Sequence, residues 1–303
     1  MIPYSKIAYL ARSIKFQMSS DRFRCPNCDS DQSDMVDRKS FITSLNRCRS
    51  CKLLFRTPTD EPQRNDRFYN EYYTQGFTTD LPDEVYLKHL LETSFLNTPK
   101  DYTKYINILN RIGIGGSMRL FDFGCSWGYG SWQFSQNGFD VYASEISRRR
   151  RSYAADRLGV RVIDDPFSFS FISEFNNSFD CFFSAHVLEH VPKPSAVFDL
   201  AKRLLKPGGL FVSVTPNGAH DHRLASSNWS KLWGDVHPNF IDPEFLDRSF
   251  PDAPRIITSI SNDPAWLKKL TTPSIGRQAF DLSAYELLFT ANPSNSGDDQ
   301  FLQ

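Results

Sequence analysis

Leu120-Phe121-Asp122-Phe123-Gly124-Cys125-Ser126-Trp127-Gly128-Tyr129-Gly130 is the stretch that decides the fold of this 303-residue chain. A short apolar run, residues 118–123, enters a turn with glycine at 124 and 128. Glycine there lets the backbone bend sharply and lets a ligand approach the main chain closely. A helix starting after the turn points its N-terminal N–H groups at that ligand. Glu145 stands 21 residues beyond Gly124, at the end of the next strand candidate, residues 141–144. A carboxylate in that place can accept from both hydroxyls of a ribose.

The pattern repeats outward. Short apolar runs at 160–163, 181–184, 210–214, 256–260 and 286–291 complete seven strand candidates. Segments long enough for helices separate the first five. In residues 195–206, Ala196, Val197, Leu200, Ala201, Leu204 and Leu205 share one helical face. This alternation predicts an α/β fold, a doubly wound, seven-stranded, mostly parallel sheet of Rossmann-like type. Residues 215–250 form a long irregular insertion with two tryptophans and three histidines, a length and place typical of substrate covers. The chain divides into an N-terminal extension (1–20), a cysteine-bearing segment (21–60), the α/β domain (66–292) and a polar tail (293–303) expected to be disordered.

Composition narrows the function classes. Lys plus Arg and Asp plus Glu each number 35, so the formal net charge is zero. Nucleic-acid and anionic-membrane binders favour a basic excess, so nucleic acid is an unlikely partner. No uninterrupted apolar run reaches membrane-spanning length. Residues 1–16 lack the apolar core of a secretory signal. They carry Ile7, Leu10 and Ile14 at helical spacing between basic residues, the pattern of a short packed helix or of a membrane-touching or transit segment. The expected compartment is the cytoplasm. Nothing in the sequence sets the oligomeric state.

Cys25-Pro-Asn-Cys28 and Cys48-Arg-Ser-Cys51 are separated by 19 residues. Two Cys-x-x-Cys knuckles offer Zn²⁺ four thiolates in a tetrahedron, leaving no open position for chemistry, so the metal's role would be structural. The alternative is a redox pair or disulfides. Ser40-Phe41-Ile42-Thr43 is the expected strand of the small ribbon.

Asp122-x-Gly124-x-x-x-Gly128 after a strand resembles motif I of the class I S-adenosylmethionine-dependent methyltransferases, with Ser126 where the middle glycine is more usual. Asp180-Cys181-Phe182-Phe183-Ser184-Ala185-His186-Val187-Leu188-Glu189-His190-Val191 is similar to that family's fourth strand. Leu204-Leu205-Lys206-Pro207-Gly208-Gly209 is similar to the turn before its fifth. The cysteine ribbon, Leu53 to Pro58, and the run Phe68-Tyr69-Asn70-Glu71-Tyr72-Tyr73 resemble bacterial methyltransferases of sugar and polysaccharide biosynthesis. In that group the tyrosines lie at the site mouth; simple packing of an aromatic helix face explains Tyr69, Tyr72 and Tyr73 equally well.

The resemblance implies transfer of a methyl group from a sulfonium to a small-molecule or glycan acceptor. It implies that Asp122, Gly124, Cys125, Ser126 and Gly128 hold the methionine part of the cofactor. Glu145 takes the ribose, Asp164 or Asp165 the adenine amine, and Ser184 and Ala185 face the methyl group. A hydroxyl or carbon acceptor needs a base, and the candidates are His186, His220, His222 and His237. His237, in Trp233-Gly234-Asp235-Val236-His237-Pro238-Asn239-Phe240, comes first because this family places its substrate cover there. Glu189 and His190 read as capping or packing residues, and Cys125 and Cys181 as buried small hydrophobes. Arg148-Arg149-Arg150-Arg151 reads as the solvated face of a helix or a grip on a phosphate.

Three rivals remain at this point. A zinc-ribbon RNA methyltransferase conflicts with the zero net charge. A dinucleotide-dependent dehydrogenase wants three loop glycines and a second substrate domain. A catalytically silent interaction module would not need Gly124 or Glu145.

Overall fold

The computed structural model describes residues 13–16, 18, 23–39, 43–59, 70, 80–226, 229–234, 237–274 and 276–293. Tyr69, Tyr72 and Tyr73, nearly all of the N-terminal extension and the tail beyond Pro293 lie outside the described residues.

The strands are β1 (Ser33–Lys39), β2 (Thr43–Cys48), β3 (Leu54–Thr57), β4 (Arg119–Phe123), β5 (Asp140–Ser144), β6 (Val162–Ile163), β7 (Phe179–Ala185), β8 (Leu205–Pro216), β9 (Asn239–Phe240), β10 (Arg255–Ser259), β11 (Arg277–Phe280) and β12 (Glu286–Ala291). The helices are α1 (Glu84–Glu92), α2 (Thr103–Arg111), α3 (Tyr129–Gln136), α4 (Arg148–Leu158), α5 (Phe169–Phe175), α6 (Pro194–Leu204), α7 (His220–Ala225), α8 (Trp229–Leu232), α9 (Pro243–Ser249) and α10 (Pro264–Lys269).

The main sheet runs β11-β10-β12-β8-β7-β4-β5-β6. All seven expected strands are in it. The correction is an eighth, β11, which pairs parallel with β10 at the edge. The five strands from β8 to β6 are mutually parallel. Only β12 runs against its neighbours β8 and β10. The strand order reverses between β4 and β7, and ligands of open α/β sheets bind beyond the strand ends at such a switch point.

Sequence alternation explains how each strand is held. In β4, Phe121 and Phe123 join a core with α5 and α6, through Phe171, Val197, Phe198, Leu200 and Leu204. Leu120 faces the other way, into a core with Tyr105, Ile108 and Leu109 of α2 and Phe134 of α3. In β7, Phe182 faces the first core and Cys181 and Phe183 the second. Both faces are covered, as a parallel sheet requires, and the many phenylalanines fill them. β8 begins at Leu205, earlier than expected. Lys206 to Gly209 pass through a register shift against β7 instead of breaking the strand.

The cysteine-bearing segment builds a second sheet, β1-β2-β3-β9. Its first strands are Ser33–Lys39 and Thr43–Cys48, flanking the expected 40–43; residues 40–42 lie outside the described ones. Its last strand, β9, comes from the 215–250 insertion and pairs antiparallel with β3. Cys25, Cys48, Leu53 and Phe55 are buried in the same core as Phe198, Ile241 and Phe245.

Candidate active site

The bend after β4 has the conformation its glycines predict. Gly124 and Gly128 have φ of +84° and +88°, and Ser126 has +53°. A Cβ on Gly124 would lie 2.4 Å from Val187 Cγ2, and one on Gly128 would lie 2.8 Å from Ala154 Cβ. Gly128 caps the N-terminus of α3. The amides of Gly124 and Cys125 both donate to Ser144 O, at 2.9 Å, which locks the bend to the end of β5.

Glu145 follows directly. Its Oε2 accepts from the Ser126 amide at 3.0 Å, and its Oε1 accepts from the Ser147 amide at 2.8 Å. The bend and the acid are therefore in direct contact. Burial pushes the Glu145 carboxyl up from its ordinary value. Arg150, whose Nε lies 3.8 Å from Oε1, and the two amides pull it down. Each carboxylate oxygen keeps lone-pair capacity beyond the bond shown, as a ribose diol needs. Ser126 Oγ is also buried without a hydrogen-bond partner among the described residues. These features fit the adenosyl end of S-adenosylmethionine.

Asp122 sits under the bend and accepts from Ser131 Oγ of α3 at 2.6 Å. Burial raises its carboxyl to about 7, against the Ser131 bond and with repulsion from Glu145. Cys125 and Cys181 are buried, and burial raises both thiols. Asp164 and Asp165 lie just past β6. Asp164 is exposed and ion-paired with Arg151 at 3.0 Å, while Asp165 Oδ1 accepts from the Phe167 amide at 2.9 Å.

The arginine run is neither a solvated face nor a phosphate grip throughout. Arg150 is buried against Glu145. Arg151 Nη1 donates to the carbonyls of Glu145 and Asp164, at 3.2 and 3.3 Å. Four identical residues in sequence gave no sign of which ones turn inward.

Across the switch point, Ser184 and Ala185 end β7. Ser184 Oγ is buried without a hydrogen-bond partner among the described residues. His186 follows with φ +57°. Its Nε2 is 2.9 Å from Glu286 Oε1 and its Nδ1 is 3.6 Å from Glu189 Oε1. Burial opposes its charge, but the two carboxylates outweigh that and raise it to about 9. Glu189 and Glu286 are both pulled down to about 2, despite burial, chiefly by His186, with Lys104 assisting at Glu286. The two carboxylates favour the charged form of His186, which disfavours it as a base.

Of the remaining histidines, His222 is buried with Nδ1 bonded to Ser283 O at 2.8 Å, and His220 is exposed beside Arg223. His237 is held in the same way but beside a second histidine and an acid. Its Nδ1 lies 2.6 Å from Leu232 O. A carbonyl only accepts, so Nδ1 is the donor here and Nε2 is the ring nitrogen left for another partner. The His237 ring packs edge-on against His190, with centroids 4.7 Å apart. Polar atoms of Glu189, His190 and His237 lie within 4.8 Å of one another. Glu189, expected to cap or to pack, is fully buried beside three histidines and accepts from Thr215 Oγ1 at 3.0 Å. The run Val-Leu-Glu-His did not reveal this, because His237 arrives from a segment 47 residues away.

The four ribbon cysteines converge. Cys25 Sγ lies 3.6 Å from Cys51 Sγ, and Cys28 Sγ lies 3.5 Å from Cys48 Sγ, with all four sulfurs within 4.8 Å of one another. Zn–S bonds of about 2.3 Å in a tetrahedron put sulfurs about 3.8 Å apart. None of the cysteines is in a disulfide. The donor set fits zinc.

A reversing α/β sheet with a glycine bend after β4 and a carboxylate after β5 is a Rossmann-like arrangement, which methyltransferases share with dinucleotide-binding enzymes. The chain belongs to the methyltransferase-domain family, whose profile matches residues 98–253, just over half of it. It is 31% identical over 122 residues to the ubiquinone biosynthesis O-methyltransferase of a Cereibacter sphaeroides strain, covering 38% of this chain and 49% of that one. It is 33% identical over 117 residues to the Xylella fastidiosa protein of the same name, covering 35% and 45%. The chain spans about half the length of the curated relatives it matches. Similar solved structures include a geranyl diphosphate C-methyltransferase from Streptomyces coelicolor (18% identity, TM-score 0.48, 76% of this chain and 95% of that one). A TehB-like S-adenosylmethionine-dependent methyltransferase from Corynebacterium glutamicum is another (15%, TM-score 0.45, 69% and 97%).

Proposed function

We propose that this chain is an S-adenosylmethionine-dependent methyltransferase acting on a small molecule, with a structural zinc in the ribbon. The observation that carries the reading is the Glu145 carboxylate held on the Ser126 amide across the Gly124–Gly128 bend. The family match and the named relatives support it. The acceptor is a small molecule or a sugar or glycan precursor, the latter being what the resemblance of the ribbon and tyrosine run implies. The free thiols and the paired knuckles suit the cytoplasm.

The cofactor, when bound, supplies an activated methyl group on a sulfonium. The chain's own residues bind, orient and move a proton. Glu145 holds the ribose hydroxyls, and the bend's backbone approaches the methionine part, with Asp122 buried beneath it. Asp164 or Asp165 serves the adenine edge. Ser184 and Ala185 flank the transfer position. His237 Nε2 accepts the acceptor's proton, and the buried Glu189 carboxylate stabilises the imidazolium that results.

Calorimetry with S-adenosylmethionine tests this reading, with a dissociation constant on the order of micromolar expected. Incubation of the protein with methyl-labelled cofactor and a lysate extract should place label in the small-molecule fraction. No binding heat up to millimolar cofactor would point to a silent module, and label confined to RNA would point to the RNA enzyme.

A further inference from the structure

The ribbon is the feature that a methyl-transfer reading leaves without a task. Its second knuckle, Cys48 to Cys51, is the turn joining β2 to β3, closed by the Cys48 amide on Leu53 O at 3.0 Å and the Lys52 amide on Cys48 O at 3.1 Å. β3 then pairs with β9, Phe55 opposite Asn239 and Leu54 opposite Phe240. The Arg56 amide donates to Pro238 O at 2.7 Å, one residue from His237.

Side chains reinforce the join. The Lys39 ammonium lies 4.2 Å from the Trp233 ring centroid, and Trp233 Nε1 donates to Asp37 Oδ2 at 3.2 Å. Arg47 pairs with Asp242 at 2.7 Å and with Glu244 at 2.9 Å. Buried Asn239 continues the connection, its Nδ2 donating to Val191 O at 2.6 Å, in the loop that carries Glu189 and His190. The first knuckle reaches the same region, because Asn27 Oδ1 accepts from the Ser195 amide at the start of α6. The hydrogen bonds found for Glu145 and for the 124–128 bend come from β5, α3, α4 and the bend itself, and among the described residues none of them comes from the ribbon.

We propose that the ribbon is the positioning frame of the acceptor side. Its metal-closed knuckle fixes β3, β3 fixes residues 238–240, and Asn239 clamps them to the Glu189–His190 loop, so that metal occupancy determines whether His237 stays in place. Asn239 is the positioning residue of this frame. The inference rests on the methyl-transfer reading, since it gives His237 a task, but its structural content can be tested apart from that reading.

The experiment is hydrogen–deuterium exchange, read by mass spectrometry, on the full chain with S-adenosylhomocysteine present, before and after a chelator strips the zinc. Exchange at residues 54–57 and 237–242 should rise about tenfold or more, while 119–123 and 205–216 stay protected. Affinity for S-adenosylhomocysteine should stay within about twofold. Asn239→Ala, with zinc retained, should raise exchange at 188–193 and 237–242 alone. Continued protection of 237–242 after zinc loss, or loss of protection throughout the core, would overturn the proposal. Failure of the zinc-loaded protein to bind S-adenosylhomocysteine would strike the methyl-transfer reading and leave the exchange pattern as a separate result.

Discussion

Glu145→Gln is the perturbation that isolates the cofactor side. The substitution keeps the side chain's shape and removes its charge. Glu145 accepts two backbone N–H groups, from Ser126 and Ser147, and faces Arg150. Glutamine has one acceptor oxygen, so one of those amides meets an NH₂ group instead. That unpaired donor costs about 1–3 kcal/mol of folding stability. On the ligand side, two ribose hydroxyls lose a charged acceptor. Hydrogen bonds to charged groups are worth about 1.5–3 kcal/mol and neutral ones about 0.5–1.5. After allowance for non-additivity, the loss is about 2–3 kcal/mol, or about 30- to 150-fold in Kd. Calorimetry with S-adenosylhomocysteine reads the Kd, and urea denaturation shows that the variant remains folded. A folded Glu145→Gln protein binding within about threefold of the parent would remove Glu145 from the site.

Three further expectations can be checked alongside. Burial raises Asp122 from 3.8 to about 7, so the folded chain takes up a proton that the unfolded chain releases. The resulting stability is present at low pH and lost as pH rises from about 4 to about 7, and urea midpoints across that range should flatten in Asp122→Asn. Gly124→Ala forces a side chain into φ +84° and onto Val187. It should lower Tm and weaken cofactor binding through at least about 1–3 kcal/mol of strain, and a variant matching the parent in both would contradict the strained bend. Metal analysis should find about one zinc per chain. Zero zinc with four oxidised cysteines would reject the ribbon's metal.

The sheet was legible because its strands are short apolar runs bounded by glycine, proline and acids, and local pattern alone marks such runs. β11 was not: Arg277-Gln278-Ala279-Phe280 is mostly exposed and its place is set by pairing with β10. β9 was invisible for a related reason. Two residues cannot show a period, and their partner, β3, lies far away in the chain. Gly124, Gly128 and Glu145 were legible as a spacing, because backbone conformation and strand length fix that spacing locally. The inward turn of Arg150 and the gathering of His186, His190 and His237 on Glu189 depend on tertiary contacts. A sequence names those residues as candidates without telling which of them meet.

Under the proposed function, the bend at 124–128 and the carboxylate at 145 together hold an adenosyl group. A crystal structure of the chain grown with S-adenosylhomocysteine tests it most directly. The predicted result is ligand density at the β4–β7 switch point, with both ribose hydroxyls on Glu145. Density that places the ribose away from Glu145, or side chains still filling that position while the ligand binds elsewhere, would contradict it.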